Sequence, residues 1–422
     1  MRRIYVKKLA ACGVIAVTFG ALMLAACAPA AGPARPTPSP GEAVPLAHAL
    51  NDSGFAIFRA ATKDGGNVAV SPLSIGLAFG MVDAGASGSA KDALGTLFAY
   101  PASGDALLGA FNSLDLGVVS EKGGGAKDVS GKTVDLPVVR IANRAFIDTS
   151  FTPAPAYLDT IGRYFGAGAQ TEPLRAQPDK SRKLIDGWVS DRTNGLIPKI
   201  MPADLPNPYT ALILVNAVYL KAQWWSPFEH DTTSARDFHL ADGTVIQTDT
   251  MGQGLDARYA ESDSFDAAVL PYVGDLEMML VVPRDGSYDS VEAGMSQAFL
   301  DTLDASWTTG HIEVNMPRFT TESTIDLRDV IENGLGTTGL FGADGLDGIG
   351  PNLQLDAAVH SAKVIVDEEG TEAAAATVVG VAGTAAPQFD AVIRADRPFL
   401  YVIRDVDTGV ALFVGRVLDP RG

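Results

Sequence analysis

Three predominantly apolar runs constrain this chain more than anything else in it. Residues 211–220 (ALILVNAVYL), 278–282 (MMLVV) and 411–417 (ALFVGRV) have strand length and almost no alternation of apolar and polar residues. A strand with one wet face alternates with period two, so a run that does not alternate has both faces covered. Such strands need packed layers above and below them, and therefore a large core. With 422 residues, 47% of them hydrophobic, the chain has the material for one. Length alone suggests two or three domains, although mixed helix–sheet bodies also run longer as one piece.

Helical spacing appears elsewhere. Leu46, Leu50, Ile57 and Phe58 recur along one face of residues 46–61, with Phe55 beside them. Residues 73–81 (LSIGLAFGM) are apolar and small, which predicts a buried helix closely approached by its neighbours. Helical patterns crowd the first half and strand patterns the second. That favours an α+β fold with large sheets over regular βα alternation. Residues 117–135 are polar and glycine-rich and read as a surface loop.

The N-terminus reads as an address. Residues 1–8 are cationic and residues 9–24 (LAACGVIAVTFGALML) are apolar, too short for a comfortable membrane span. The run ends in Leu24-Ala25-Ala26-Cys27, which resembles the bacterial lipobox. Residues 1–26 are thus expected to be a lipoprotein signal peptide and Cys27 a lipid anchor. Ordinary signal cleavage after Ala26 or Ala30 is the rival reading. Residues 2–7 weakly resemble a twin-arginine export signal. Residues 27–45, rich in Pro and Ala, read as a semi-extended tether. The body is expected at 46–422, in a protein exported and held at the cell envelope or outside the cell.

Composition excludes several chemistries. The formal net charge of −18 opposes binding to nucleic acid or other polyanions, so no heparin-type cofactor is expected. The only cysteines, Cys12 and Cys27, precede the body, which therefore has no disulfide, thiolate metal site or cysteine nucleophile. Residues 334–339 (GLGTTG) fit a dinucleotide-loop pattern. The preceding residues 325–333 (IDLRDVIEN) look helical, whereas that loop must follow a strand, so the glycines read as a helix stop. No G-x-S-x-G elbow occurs. His48, His230, His239, His311 and His360 form no i, i+4 metal pair. No catalytic residue, cofactor or metal is assigned.

The informative stretch is residues 364–386 (VIVDEEGTEAAAATVVGVAGTAA). By composition it is a strand followed by a Glu-led, Ala-rich exposed helix or loop, although 377–386 suit extended backbone better. From Glu368 to Thr377 it matches the reactive-loop hinge of the serpin family at every position: Glu368, Glu369, Gly370, Thr371, Glu372, Ala373, Ala374, Ala375, Ala376 and Thr377. Other serpin-like blocks run in family order: NVAVSPLSI at 67–75, IANRAF at 141–146, WVSDRTNGLI at 188–197, LVNA at 214–217 with Lys221, Trp224 and Phe228, then Leu270-Pro271-Tyr272, Pro317-Arg318-Phe319 and Arg397-Pro398-Phe399-Leu400. The chain is similar to serpins over essentially its whole body.

The resemblance implies one domain of three sheets with eight or nine helices, and an exposed reactive-centre loop at about 368–390. It implies a monomeric inhibitor, not an enzyme, whose bait is cleaved and whose hinge then inserts into the main sheet. As a strand, Thr371, Ala373, Ala375 and Thr377 would point inward, all small, with Glu372 outward. No proline interrupts 364–386. The family's spacing, about sixteen residues after Glu368 and about fourteen before Pro398, puts the reactive bond at Thr384–Ala385. The small neutral side chains there imply an elastase-like or subtilisin-like serine protease as partner, with a cysteine protease still open. Ser71, Ser74, Asn216 and His360 match residues that latch the sheet from beneath. Arg318, paired with Glu368, and Trp224 match residues at its top. The alternatives are a non-inhibitory binding protein on the same fold and an unrelated lipid-anchored enzyme.

Overall fold

The computed structural model describes residues 34–119, 125–342, 344–372 and 388–422. The three apolar runs become the strands Leu212–Gln223, Leu276–Pro283 and Ala411–Val417, and every residue of the runs is buried. In the first of them, Leu212, Leu214, Val218 and Leu220 enter the principal core, while Ile213, Val215 and Ala217 enter a second core shared with Ile185 and Val189 of the helix Pro178–Arg192. Two covered faces are why that sequence does not alternate.

Three sheets and nine α-helices occur among the described residues. The main sheet has six strands in the order Phe319–Asp326, Ala357–Val366, Gly370–Thr371, Leu212–Gln223, Val138–Asp148, Ala169–Glu172. A nine-stranded sheet packs behind it. The helix Pro72–Asp83 touches both sheets and is buried at every residue. Its glycines are required by contact: a Cβ on Gly76 would lie 2.5 Å from Leu50, and one on Gly80 would lie 2.7 Å from Phe111.

Four expectations need correction. Pro33–Gly422 forms a single compact unit, against the two or three that length alone suggests. The tether does not extend to residue 45. The first helix begins at Pro40, where a fixed φ suits the first turn, and it buries Ala43. Ahead of it, Arg35 binds Asn112, Asp115 (2.5 Å) and the Tyr164 carbonyl, and the Ser39 amide donates to Ser113 Oγ. This docked strap is invisible to composition because its partners lie far along the chain. Third, residues 117–135 are not all loop: Gly125–Lys127 pairs with Thr133–Asp135 as a hairpin, its turn tied by the Asp128 carboxylate to the Ser130 and Lys132 amides. Fourth, within 325–333 the strand runs on to Asp326 and helix begins only at Leu327. The glycines of 334–339 do follow a helical turn rather than a strand, with Gly336 and Gly339 at positive φ. Among the described residues no helix is long and apolar enough to cross a membrane.

Candidate functional site

The site is a seam in the main sheet. Ala357–Val366 and Leu212–Gln223 pair directly, in parallel, from Ala357↔Ile213 to Ala362↔Val218. Above that they part, and Gly370–Thr371 lies between them, antiparallel to both: Thr371 opposite Val366 and Ala222, Gly370 opposite Gln223. The first two residues of the hinge strand thus already occupy the mouth of the seam, while the lower part is closed.

A short turn delivers the hinge. The Asp367 carboxylate accepts the Glu369 and Gly370 amides at 3.0 and 3.2 Å, and the Asp367 amide donates to the Gly370 carbonyl. Burial, then the neighbouring Glu369, push the Asp367 carboxyl up to about 6. Gly370 has φ of 148°, and a Cβ there would stand 2.1 Å from the Ala222 carbonyl oxygen. Only glycine fits this position.

Around the turn stands a built frame. Glu368 is 1% exposed. Arg318 grips it with Nε at 2.9 Å from both carboxylate oxygens and Nη2 at 2.6 Å, and the Thr233 hydroxyl donates to it at 2.5 Å. Burial pushes the Glu368 carboxyl up, but these donors hold it below its usual range. His230 Nε2 lies 2.6 Å from Glu369. Trp224 donates its indole N–H to the Asp367 carbonyl at 3.0 Å and its amide to the Glu369 carbonyl, and stacks on Tyr272 at 4.3 Å. The Tyr272 hydroxyl meets Thr371 Oγ1 at 2.7 Å. Thr371 is buried. Glu372 has φ of 48°, its amide donates to the Ile365 carbonyl, and one of its carboxylate oxygens is buried rather than turned to solvent.

Beneath the closed part lies a second network. The Ser71 amide donates to His360 Nε2 at 3.1 Å, and His360 Nδ1 bonds Asn216 Oδ1. The amide fixes the tautomer: Nε2 must accept, so Nδ1 carries the hydrogen and donates to Asn216. Asn216 Nδ2 donates to the Ser74 carbonyl and Oγ, both at 2.6 Å, and to Asn143 Oδ1. Ser71 caps the helix Pro72–Asp83 through the Ser74 amide. Asn216 and His360 are register partners across the seam. Complete burial pushes the His360 imidazole down to about 3, so it is neutral at pH 7.

The structure therefore brings Ser71, Ser74, Asn216 and His360 together, and Glu368, Arg318 and Trp224 together. Asn143, Thr233, His230 and Tyr272 belong to the same networks and went unassigned in the sequence, although Asn143 and Tyr272 lie inside blocks noted there. Their signal is tertiary: the Tyr272–Thr371 bond joins residues 99 apart. Ala373, Ala374, Ala375, Ala376, Thr377, Thr384, Ala385 and Cys27 lie outside the described residues. Among the described residues no group of three His, Cys, Asp or Glu gathers as a metal site would require.

A family model for serpins, serine protease inhibitors, matches residues 48–420. The chain is 30% identical over 386 residues to a serpin-like protein of Thermococcus kodakarensis, covering 90% of this chain and 87% of that one. It is 32% identical over 379 residues to human antithrombin-III, covering 85% and 77%, and 33% identical over 374 residues to human neuroserpin, covering 85% and 88%. Among solved structures, the thermophilic serpin tengpin in its native state superposes with a TM-score of 0.79 at 22% identity, over 92% of this chain and 97% of that one. Thyroxine-binding globulin in complex with thyroxine superposes at 0.77 and 23% identity, over 89% and 99%. A matched model spanning nearly the whole body, relatives at 30% identity or more and a hinge seated in a parallel seam lead to one conclusion: the chain belongs to the serpin family.

Proposed function

We propose that this serpin inhibits an elastase-like or subtilisin-like serine protease as a suicide substrate. The observation that carries the reading is the hinge seated at the mouth of a seam that is shut below it. The protease serine attacks the Thr384 carbonyl. The Thr384–Ala385 amide breaks, Ala385 leaves with a protonated amine, and Thr384 remains as an ester on the enzyme. The freed hinge then zips downward as a full strand, serpin loop insertion being itself a named example of strand addition. Each step exchanges a parallel pair for two antiparallel ones. Small inward residues at 371, 373, 375 and 377 support the reading, because a sheet reclosing on them is not overpacked.

Export and anchoring through lipidated Cys27 belong to the same proposal, as does a monomeric state. Incubation with pancreatic elastase and subtilisin tests the inhibition. An SDS-resistant covalent complex and a cleaved form that melts above the intact one are expected. Clean cleavage at residues 384–385, with active protease released and no rise in melting temperature, would make the molecule a non-inhibitory binding protein instead. Mass spectrometry of the N-terminal peptide from membranes tests the lipid on Cys27.

A further inference from the structure

Both ends of the bait are fastened beside one strand, Val245–Glu261. At the hinge end, Thr232 Oγ1 donates to the Gly252 carbonyl at 2.7 Å, and the next residue, Thr233, holds Glu368. At the far end, Phe389 stacks on His311 at 5.3 Å and covers Gly254, where a Cβ would lie 2.7 Å from its ring. The Asp390 carboxylate accepts the His311 amide at 2.9 Å, and His311 is the register partner of Asp256. Gly252 and Asp256 are separated by about 13 Å of strand. A protease that grips the bait between its ends therefore stands over this strand and its neighbour Ser234–His239. The charge there is one-sided. Residues 229–256 hold six carboxylates, Glu229, Asp231, Asp237, Asp242, Asp249 and Asp256, all exposed, against Arg236 as the one Lys or Arg. Arg236 is half-buried and bonds Asn315. Asp390 adds an exposed carboxylate at the far end, where Arg394 is the exposed cation of the adjoining strand Ala391–Arg394. From Ala373 to Gln388 the sequence has no charged residue, so the bait itself exerts no charge preference.

We propose that this acidic surface selects the protease partner, favouring one whose active-site rim is positively charged. The inference rests on the inhibitory reading only in placing the protease at the bait. Opposite charge draws the partner in and raises the association rate by about 10–10³-fold, whereas a protease with an acidic rim is repelled. The small neutral residues of the bait fit many proteases, and the carboxylates beneath them discriminate among those.

The rate of bait cutting on the full chain tests this with two proteases that cut after small residues, one basic and one acidic by isoelectric focusing. Cut and covalently complexed forms are counted together on SDS gels. Between about 0.01 M and about 1 M salt the screening length falls from ~30 to ~3 Å. Over that range the rate constant with the basic protease should fall roughly tenfold or more, and that with the acidic protease should not fall. Asp231→Asn combined with Asp237→Asn should lower the basic protease's rate roughly threefold at low salt and leave its high-salt rate unchanged. A basic-protease rate that ignores salt or the double variant overturns the proposal, as does an equal fall with the acidic protease. Should the double variant fail to fold, the salt comparison of the two proteases decides the matter. Absence of any covalent complex would sink the inhibitory reading and leave this comparison standing, since cutting alone supplies the rates.

Discussion

His360 shows how one buried side chain makes a protein acid-sensitive. Unfolded, it would take up a proton below about pH 6.5; folded, it resists down to about 3. Between those values the unfolded chain binds more protons, so this group's contribution to stability is complete above pH 6.5 and lost as pH falls toward 3. The full effect is about 4–5 kcal/mol. His360→Gln offers an acceptor for the Ser71 amide and a donor for Asn216 without titrating. It should flatten the acceleration of unfolding of the intact protein between pH 6.5 and 3, measured by stopped-flow fluorescence. Asp367 works in the opposite sense. Its folded carboxyl is raised to about 6, beside Glu369 and Glu368, so its contribution is complete below the unfolded value and lost as pH rises through 6. Asp367→Asn keeps the acceptor for the Glu369 and Gly370 amides. It should raise the melting temperature at pH 7.5 and leave it unchanged near pH 4.

At the scale of elements, the hinge strand depends on Gly370. A methyl group at this position meets the backbone of the neighbouring strand, which cannot step aside as a side chain can. Gly370→Ala is expected to strain the backbone by about 1–3 kcal/mol and to push the hinge off Gln223. Roughly a tenfold fall in the yield of covalent protease complex should follow, with a matching rise in cleaved inhibitor on SDS gels. Thr371→Ser, which keeps the hydroxyl facing Tyr272, should leave the yield unchanged. The strands and the buried helix were legible in the sequence because their burial is written locally, residue after residue, in apolar runs. The latch residues were legible only through family likeness, since Ser71 and His360 stand 289 positions apart. His230 and Thr233 carry no local pattern at all. The strap was misread for the same reason: proline and alanine suggest an unordered spacer, and only the distant Asn112, Asp115 and Ser113 reveal that Arg35 and Ser39 are held.

For the whole molecule, the proposed trap makes stability a matter of rates rather than equilibrium. Asn216→Ala removes the cross-seam bond to His360 and the bonds to Ser74. It should hasten conversion of intact protein to a loop-inserted or associated form at 45 °C, seen on native gels, with wild type as reference. The surface charge adds a second expectation at this scale. With −18 overall, heparin should not speed inhibition at physiological salt, whatever the protease.

The fork between the two central strands also sets a schedule. Because the seam is open at Thr371 and shut at His360, the proposed insertion starts from one end only and passes the upper frame before it reaches the buried network. In the proposed mechanism, insertion races deacylation by water once the bait is cut. On that mechanism, changes near Tyr272 and Arg318 should alter whether insertion starts in time. Changes near Ser71 and Asn216 should act later, on how far an attached protease is carried.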